Sequence, residues 1–155
     1  MPDYGVPADP NGALPWTWAL ERLVTSPTCW LATVGPDARP HAMPLWGLWR
    51  ADDTFWFSCG ARSRKARNLA ANPRVVVGIE HGPEVVSVEG TATAVAPDAA
   101  VAAEMAAKYE PDPGARETLA EALMGGAMYR VEPERAFGII ERPDEFSSRA
   151  TRWVW

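Results

Sequence analysis

The chain has 155 residues, 47% of them hydrophobic, which is enough for one well-buried domain and short for two. Its 20 acidic and 15 basic side chains give a formal charge of −5, which argues against a general nucleic-acid surface because such a surface needs a net basic face. Two cysteines are too few for a disulfide framework and no stretch reaches 18 uninterrupted apolar residues, so we expect a reduced, cytoplasmic protein without a membrane span.

The first predicted elements are an arm and a helix. Residues 1–14 are rich in proline and glycine and lack the basic and apolar segments of a signal peptide, so we expect an N-terminal arm. Pro15 suits the first helical position, and apolar residues then recur at helical spacing up to Val24. The pattern predicts a helix that ends before Pro27.

Three β-rich runs follow, at 28–34, 39–49 and 54–59. Short turn clusters separate them, which favours an antiparallel meander. Pro44 lies inside the second run, where it can donate no ladder hydrogen bond. This run is therefore an edge strand, a bulge or a stretch whose backbone faces a ligand.

A basic segment comes next, at the predicted start of a short helix that ends at Asn72 and Pro73. Its four cations are Arg62, Arg64, Lys65 and Arg67. A helix N-terminus carries partial positive charge and free N–H groups, so it repels cations and attracts an anion. The segment therefore lacks a negative partner, unless it is only a solvated helix face, as charged runs usually are.

The rest of the chain predicts more strands than helices. The expected elements are a hairpin of 74–80 and 84–95, helices at about 97–109 and 115–124, strands at 127–133 and 136–141, and a tail at 142–155. About six antiparallel strands with few, peripheral helices favour a mainly β fold, a small barrel in a single domain covering 1–155.

Motifs exclude several common chemistries. The sequence has no GxSxG elbow, no HExxH, no Walker loop and no GxGxxG after a strand. His41 and His81 stand far apart without cysteine or carboxylate companions at ligand spacing, so we predict no metal site. An enzyme with this sequence would borrow its reactive group from a cofactor.

The ordered run "RPHAMPLWGLWRADDTFWFSCGARSRKARNLAANPRVVVGIE", followed by "VSVEGTA", carries a family resemblance. It resembles the split β-barrel of the pyridoxamine 5′-phosphate oxidase-like superfamily, whose members bind FMN or the deazaflavin F420. The resemblance covers about residues 15–141 and implies an FMN-binding type of split barrel. Its most specific part is Ser63-Arg64-Lys65 with Asn68-Leu69 and Asn72-Pro73-Arg74.

The resemblance also implies cofactor contacts. Lys65 and, in FMN-binding members, Arg64 correspond to residues that hold the cofactor phosphate, which favours an anion site over a solvated helix face. The strand containing Pro44 corresponds to one whose backbone lies along the cofactor ring. The implied contact set is His41, Ala42, Met43, Pro44, Leu45, Trp46, Ser58, Cys59, Ser63, Arg64, Lys65, Asn68 and Trp153.

Some of these residues have plain structural interpretations. Cys59 is more often a small buried hydrophobe than a reactive thiol, and we assign it no chemistry. His41 is about as often a surface histidine as a ligand contact. Tryptophans in the strands are more often packing residues than parts of a cofactor site. No catalytic side chain is identified.

The C-terminal sequence excludes one of the activities found in the family that the chain resembles. It lacks the Arg-x-His motif of the true vitamin oxidases, so pyridoxamine phosphate oxidation is rejected. The "PWTWAxERL" opening, "RPHAMPLWG" and the "TRWVW" ending resemble the actinobacterial deazaflavin-dependent branch instead. The resemblance implies an F420-dependent reductase of a small organic substrate. FMN is the alternative cofactor, and a carrier of a flavin, deazaflavin or haem-like ligand without turnover is the alternative function.

We also expect a homodimer. The family architecture implies it, and eight tryptophans are hard to bury in so small a chain. The cofactor would then lie between subunits, with residues 150–155 near the edge of the site.

Overall fold

The computed structural model describes residues 12–155, so most of the arm predicted for 1–14 lies outside the described residues. Within this range the chain forms five helices and eight strands. In chain order they are α1 (Trp16–Thr25), β1 (Cys29–Val34), β2 (Pro40–Leu45), β3 (Leu48–Trp49), β4 (Phe55–Cys59), α2 (Arg64–Ala71), β5 (Arg74–His81), β6 (Glu84–Val95), α3 (Ala99–Tyr109), α4 (Pro113–Met124), β7 (Ala127–Ile140), α5 (Phe146–Arg149) and β8 (Thr151–Val154).

All these strands belong to one sheet. Their order is β2-β1-β5-β6-β7-β4-β3, with β8 added to β7, and every pair is antiparallel. The sheet curls around its core as a half-barrel, with helices at its periphery. The predicted mainly β split barrel is therefore confirmed, with eight strands in place of about six because the short β3 and β8 were missed.

The predicted meander is wrong. β1 pairs with β2 and β3 pairs with β4, as the turns indicate, but β2 and β3 lie at opposite ends of the strand order. The run at 39–49 breaks at Trp46 and Gly47, between these two strands. Local turn residues define hairpins only, whereas long-range pairing inserts β5, β6 and β7 between the two hairpins.

The two last predicted strands, 127–133 and 136–141, are a single strand. In β7 the register shifts so that Arg135 pairs with Glu89 and Pro133 pairs with Gly90, which leaves Glu134 as an extra residue. The apparent break is thus a β-bulge, which inserts one residue without ending the strand. The hairpin of β5 and β6 forms as predicted, with Gly82 at a φ of 59° in its turn.

The helix predictions hold within two residues at each end. Pro15 is the N-cap of α1 and not its first helical residue. α1 buries Ala19 and Leu23 against the inner face of the sheet. α3 and α4 pack on the outer side of β4, where Trp56 joins Val101 and Met105 in a second cluster. The 142–155 tail is partly regular, since it contains α5 and β8.

The main core lies on the concave face of the sheet. β4 directs Phe55 and Phe57 inward, where they are fully buried beside Val77, Val88 and Val131. Apolar burial of this kind is the dominant source of stability in a small domain. Along residues 12–155 the longest helix has 12 residues, and none is long and apolar enough to cross a membrane.

Candidate anion and ring site

The start of α2 is a capped helix N-terminus. Ser63 is the N-cap, and its Oγ accepts a hydrogen bond of 3.2 Å from the backbone N–H of Ala66. Asn68 and Leu69 anchor the buried side of the helix. The backbone N–H groups of Arg64 and Lys65 donate to no group within residues 12–155. Such N–H groups attract an anion.

The cations of this segment have no acidic partners among residues 12–155. None of Arg62, Arg64, Lys65 and Arg67 forms an ion pair with a carboxylate in the described part of the chain. Arg67 donates from Nη1 to the carbonyl oxygen of Arg62 at 2.7 Å. Arg64 is exposed and Lys65 is half-buried. The positive charge is therefore available to an external anion.

His41 of β2 lies beside these cations. Burial lowers the pKa of its imidazole, and the nearby charges of Arg64 and Lys65 lower it further. Its Nδ1 is buried and has no hydrogen-bond partner among residues 12–155. The structure thus brings one of the predicted β2 residues next to the predicted phosphate contacts.

Two consecutive hydrogen bonds join α2, β1 and β2, and the sequence gives no sign of them. Asn68 donates from Nδ2 to Thr33 Oγ1 at 2.9 Å, and that hydroxyl donates to the carbonyl oxygen of His41 at 3.4 Å. Thr33 is almost fully buried. It lies 35 residues from Asn68, so no local spacing could identify it as the link between α2, β1 and β2.

Among the strands of residues 12–155, β2 pairs with β1 alone and is therefore an edge strand. This confirms one of the three interpretations of the run around Pro44. The register places His41, Met43 and Leu45 opposite the buried residues of β1, while Ala42 and Pro44 lie on the outer face. Met43 is 43% exposed although it belongs to the inner row. The barrel is therefore open along this strand.

The linker between β2 and β3 is held by the end of α3. Tyr109 Oη accepts from the Gly47 N–H and donates to the Gly47 carbonyl oxygen, both at 2.9 Å, and Lys108 Nζ donates to that oxygen at 2.9 Å. Trp46, half-exposed, stacks on Tyr109 with ring centroids 4.8 Å apart. Burial raises the pKa of Tyr109 to about 12, so its hydroxyl stays protonated. The sequence offers no signal for these two residues of α3.

The two predicted contacts at the end of β4 are separated. Cys59 lies near the cap, where it accepts a 3.5 Å hydrogen bond from Ser63 Oγ. Ser58 is on the opposite face and donates to the Leu123 carbonyl oxygen at 2.8 Å. Alternation along a strand causes this separation. The side chain of Ser58 is therefore not brought to the cations, and its role stays a prediction.

Trp153 lies in β8, which pairs with residues 135–138 of β7. Ser58 and Cys59 pair with the opposite end of β7, at 127–128, roughly 25–30 Å away along the strand. Trp153 packs against Trp16 at 5.4 Å and donates from Nε1 to the Leu14 carbonyl oxygen. Within one chain it is not brought to the cation cluster, and its predicted cofactor contact stays a prediction.

Known proteins match this chain both in a family model and in solved structures of similar fold. The family described as pyridoxamine 5′-phosphate oxidase matches residues 19–138. The conserved hypothetical protein Rv2991 from Mycobacterium tuberculosis is 26% identical, with a TM-score of 0.73 over 83% of this chain and 86% of that one. No curated protein sequence matches the chain.

Two further solved structures share the fold at lower identity. A protein titled F420 reductase is 23% identical, with a TM-score of 0.59 over 75% of this chain and 94% of its own. The haem storage protein HutZ from Vibrio cholerae is 21% identical, with a TM-score of 0.61 over 77% of this chain and 89% of its own. At these identities the likeness extends to the fold alone.

Proposed function

The chain belongs to the pyridoxamine 5′-phosphate oxidase family, and on that premise we propose that it binds a phosphate-bearing deazaflavin or flavin, F420 in preference to FMN, and acts as an oxidoreductase. One observation carries the proposal. Arg64 and Lys65 stand without acidic partners in the described chain, at a capped helix start beside the open edge strand. An anion there would meet both charge and free N–H groups.

The residues present fit such a cofactor in two respects. At one end of β2, His41 lies near the cations, and its Nδ1 has no hydrogen-bond partner among residues 12–155. At the other end, five residues or roughly 17 Å along the strand, Trp46 exposes half of its indole. Pro44, which has no N–H, costs no ladder bond at an edge.

When bound, a reduced deazaflavin or flavin supplies a hydride for an unsaturated small molecule. The chain's own contribution is positioning. Lys65 and Arg64 hold the phosphate, and the Asn68–Thr33 link fixes the backbone of His41 relative to that phosphate. Tyr109 and Lys108 fix the linker that carries Trp46. No side chain here is assigned as a proton donor to substrate.

The preference for F420 rests on the sequence resemblance and on the absence of the Arg-x-His motif from the C-terminal residues. Similarity in fold to a protein titled F420 reductase is compatible with it. FMN is the alternative, because an FMN-binding protein from Nostoc punctiforme also shares the fold. The second candidate function, a carrier without turnover, is favoured by the likeness to a haem storage protein.

We also propose that the protein is a homodimer, through the outer face of the sheet. Strand pairing places Trp30, Ala32, Val76, Gly78 and Phe137 on this face. Trp30 is 53% exposed there. The apolar part of the face lies over β1 and β5, next to the ion pair of Glu89 and Arg135 at 3.5 Å. An exposed apolar patch on a sheet face is typical of a protein interface. A second subunit would cover this face and complete the cofactor site beside β2.

The test is a titration of the purified protein with F420 and with FMN, followed by turnover with the reduced cofactor. The proposal expects saturable binding, tighter for F420, and oxidation of reduced F420 in the presence of an unsaturated acceptor. Binding without turnover across a panel of acceptors would support the carrier. Binding of neither cofactor, or of haem alone, would overturn the proposal.

A further inference from the structure

His41 has a buried nitrogen atom without a hydrogen-bond partner in the described part of the chain. Its Nδ1 has no hydrogen-bond partner among residues 12–155, although its carbonyl oxygen accepts from Thr33. Buried polar atoms are nearly always paired, and an exception needs an explanation. The imidazole also lies near two cations, Arg64 and Lys65, which is an unfavourable neighbourhood for a group that can gain positive charge. Both features point to a ligand that accepts a hydrogen bond and carries negative charge.

We propose that His41 is a proton-binding contact of the anion held by Arg64 and Lys65, so that binding of the cofactor phosphate is accompanied by uptake of a proton. The inference rests on the proposed function, because it needs an anion at the start of α2. It gives His41, already one of the cofactor contacts that the family resemblance implies, a proton-binding role, and it adds a dependence of binding on pH.

The charges around His41 determine the sign of the effect. α2 contributes Arg64 and Lys65, and β1 contributes the neutral Thr33. In the turn before β2, Asp37 and Arg39 pair with each other at 3.4 Å. Without an anion, burial and the two cations hold the pKa of His41 below its usual range, so the ring is neutral at pH 7. An anion offsets the cations and raises that pKa.

Proton uptake then follows by linkage. A ligand that raises the pKa of a group binds more tightly as pH falls through the range between the bound and free pKa values. Asn68 of α2 donates a hydrogen bond to Thr33, and Thr33 donates one to the His41 carbonyl oxygen. α2, which carries the two cations, therefore also positions the backbone of His41. The geometry needed for this coupling is therefore present before the anion binds.

Histidine NMR tests this directly, since the chain has only two histidines. The ring signals are assigned with His81→Gln, which removes the exposed histidine of the β5–β6 hairpin. The probes are inorganic sulfate, whose charge is constant over the range of about pH 5 to 8 in which histidine titrates, and then FMN and F420. We expect the His41 pKa to rise with each anion that binds.

The matching affinity experiment compares the unaltered protein with His41→Gln and His81→Gln. From about pH 7.5 to pH 5.5, sulfate should bind about three- to tenfold more tightly to the unaltered protein and to His81→Gln. His41→Gln should bind with little change over the same range. The NMR measurement needs no variant of His41, so it holds even if that variant folds poorly.

The outcomes separate the inference from the proposed function. If an anion binds but the His41 pKa stays constant, or His41→Gln keeps the same pH dependence, the inference is overturned and the cofactor site stands. If neither sulfate nor FMN nor F420 binds at any pH, both fail together.

Discussion

Lys65 occupies the second position of α2, half-buried and without an acidic partner in the described chain. We expect Lys65→Ala to weaken F420 or FMN binding about ten- to a hundredfold, because a charge-assisted contact contributes roughly 1.5 to 3 kcal/mol. Arg64→Ala should act in the same direction. Dissociation constants for each cofactor are the measurement.

Arg67→Ala is the matched control, since that side chain is bonded to the Arg62 carbonyl oxygen. It should leave cofactor affinity nearly unchanged. Melting without cofactor should change little in Lys65→Ala, or rise slightly, because a cation at a helix N-terminus is mildly unfavourable. An equal loss of affinity in all three variants would instead indicate a diffuse attraction to the basic surface.

Gly47 is needed for close approach. A Cβ at this position would lie 2.1 Å from Cζ of the fully buried Phe55. We expect Gly47→Ala to lower the free energy of unfolding by roughly 1 to 3 kcal/mol, as overpacking does. It should also displace Trp46 from Tyr109, which tryptophan fluorescence would report.

Gly60→Ala provides the control, because a Cβ there meets nothing within 4 Å. Denaturant unfolding of both variants is the measurement. Similar small losses in the two would mean that the linker accommodates a side chain without moving.

At the scale of elements, β8 is held by contacts with the first described residues of the chain and with α1. Thr151 Oγ1 accepts from the Leu14 N–H, and Trp153 packs on Trp16. Asp53, in the turn between β3 and β4, accepts from the indole N–H of Trp16 at 2.8 Å and of Trp155 at 3.4 Å. One carboxylate therefore joins α1, a turn and the C-terminal residue.

Asp53→Asn should release Trp155 while leaving β8 paired. Asparagine tolerates the left-handed φ of 61° at this position but has only one acceptor oxygen for two donors. We expect the free energy of unfolding to fall by about 1 kcal/mol. Asp37→Asn, in an exposed pair with Arg39, should change it by less. Equal losses in urea unfolding would contradict a special role for Asp53.

Asp53→Asn also serves as a comparison for the prediction that residues 151–155 contribute to the cofactor site. Deleting residues 151–155 should weaken cofactor binding or turnover if they lie at the site of a neighbouring subunit. Deletion also removes β8, so a loss of stability accompanies it. Asp53→Asn separates the two effects, and unchanged affinity and turnover in both variants would count against this placement of the tail.

For the whole molecule, the homodimer is the main prediction. Trp30→Glu places a charge on the outer sheet face, opposite Pro44 and Gly78, where it would be buried in a dimer. Burial of an unpaired charge is strongly unfavourable, so we expect a monomer by light scattering at micromolar concentration and weaker cofactor binding. Val24→Glu is the control, because Val24 is 42% exposed on α1, which packs against the inner face of the sheet. A monomeric unaltered protein would refute the prediction.

The sequence by itself predicted most of the helices and strands, and the family. Helical spacing identified α1, and turn residues identified the β5–β6 hairpin. Pro44 limited its run to an edge strand, a bulge or a stretch whose backbone faces a ligand. Each of these predictions depends on contacts within a few residues. The ordered Ser63-Arg64-Lys65 motif indicated the basic helix start for the same reason, since cap and cations are neighbours in the chain.

Only the tertiary structure decided how these elements meet. It placed β2 and β3 at opposite ends of the sheet and merged two predicted strands into β7, because pairing partners lie far apart in sequence. It also brought His41 to Arg64 and Lys65, joined Asn68 to Thr33, and set Tyr109 against Gly47. Such contacts depend on packing between segments tens of residues apart, which no local pattern encodes.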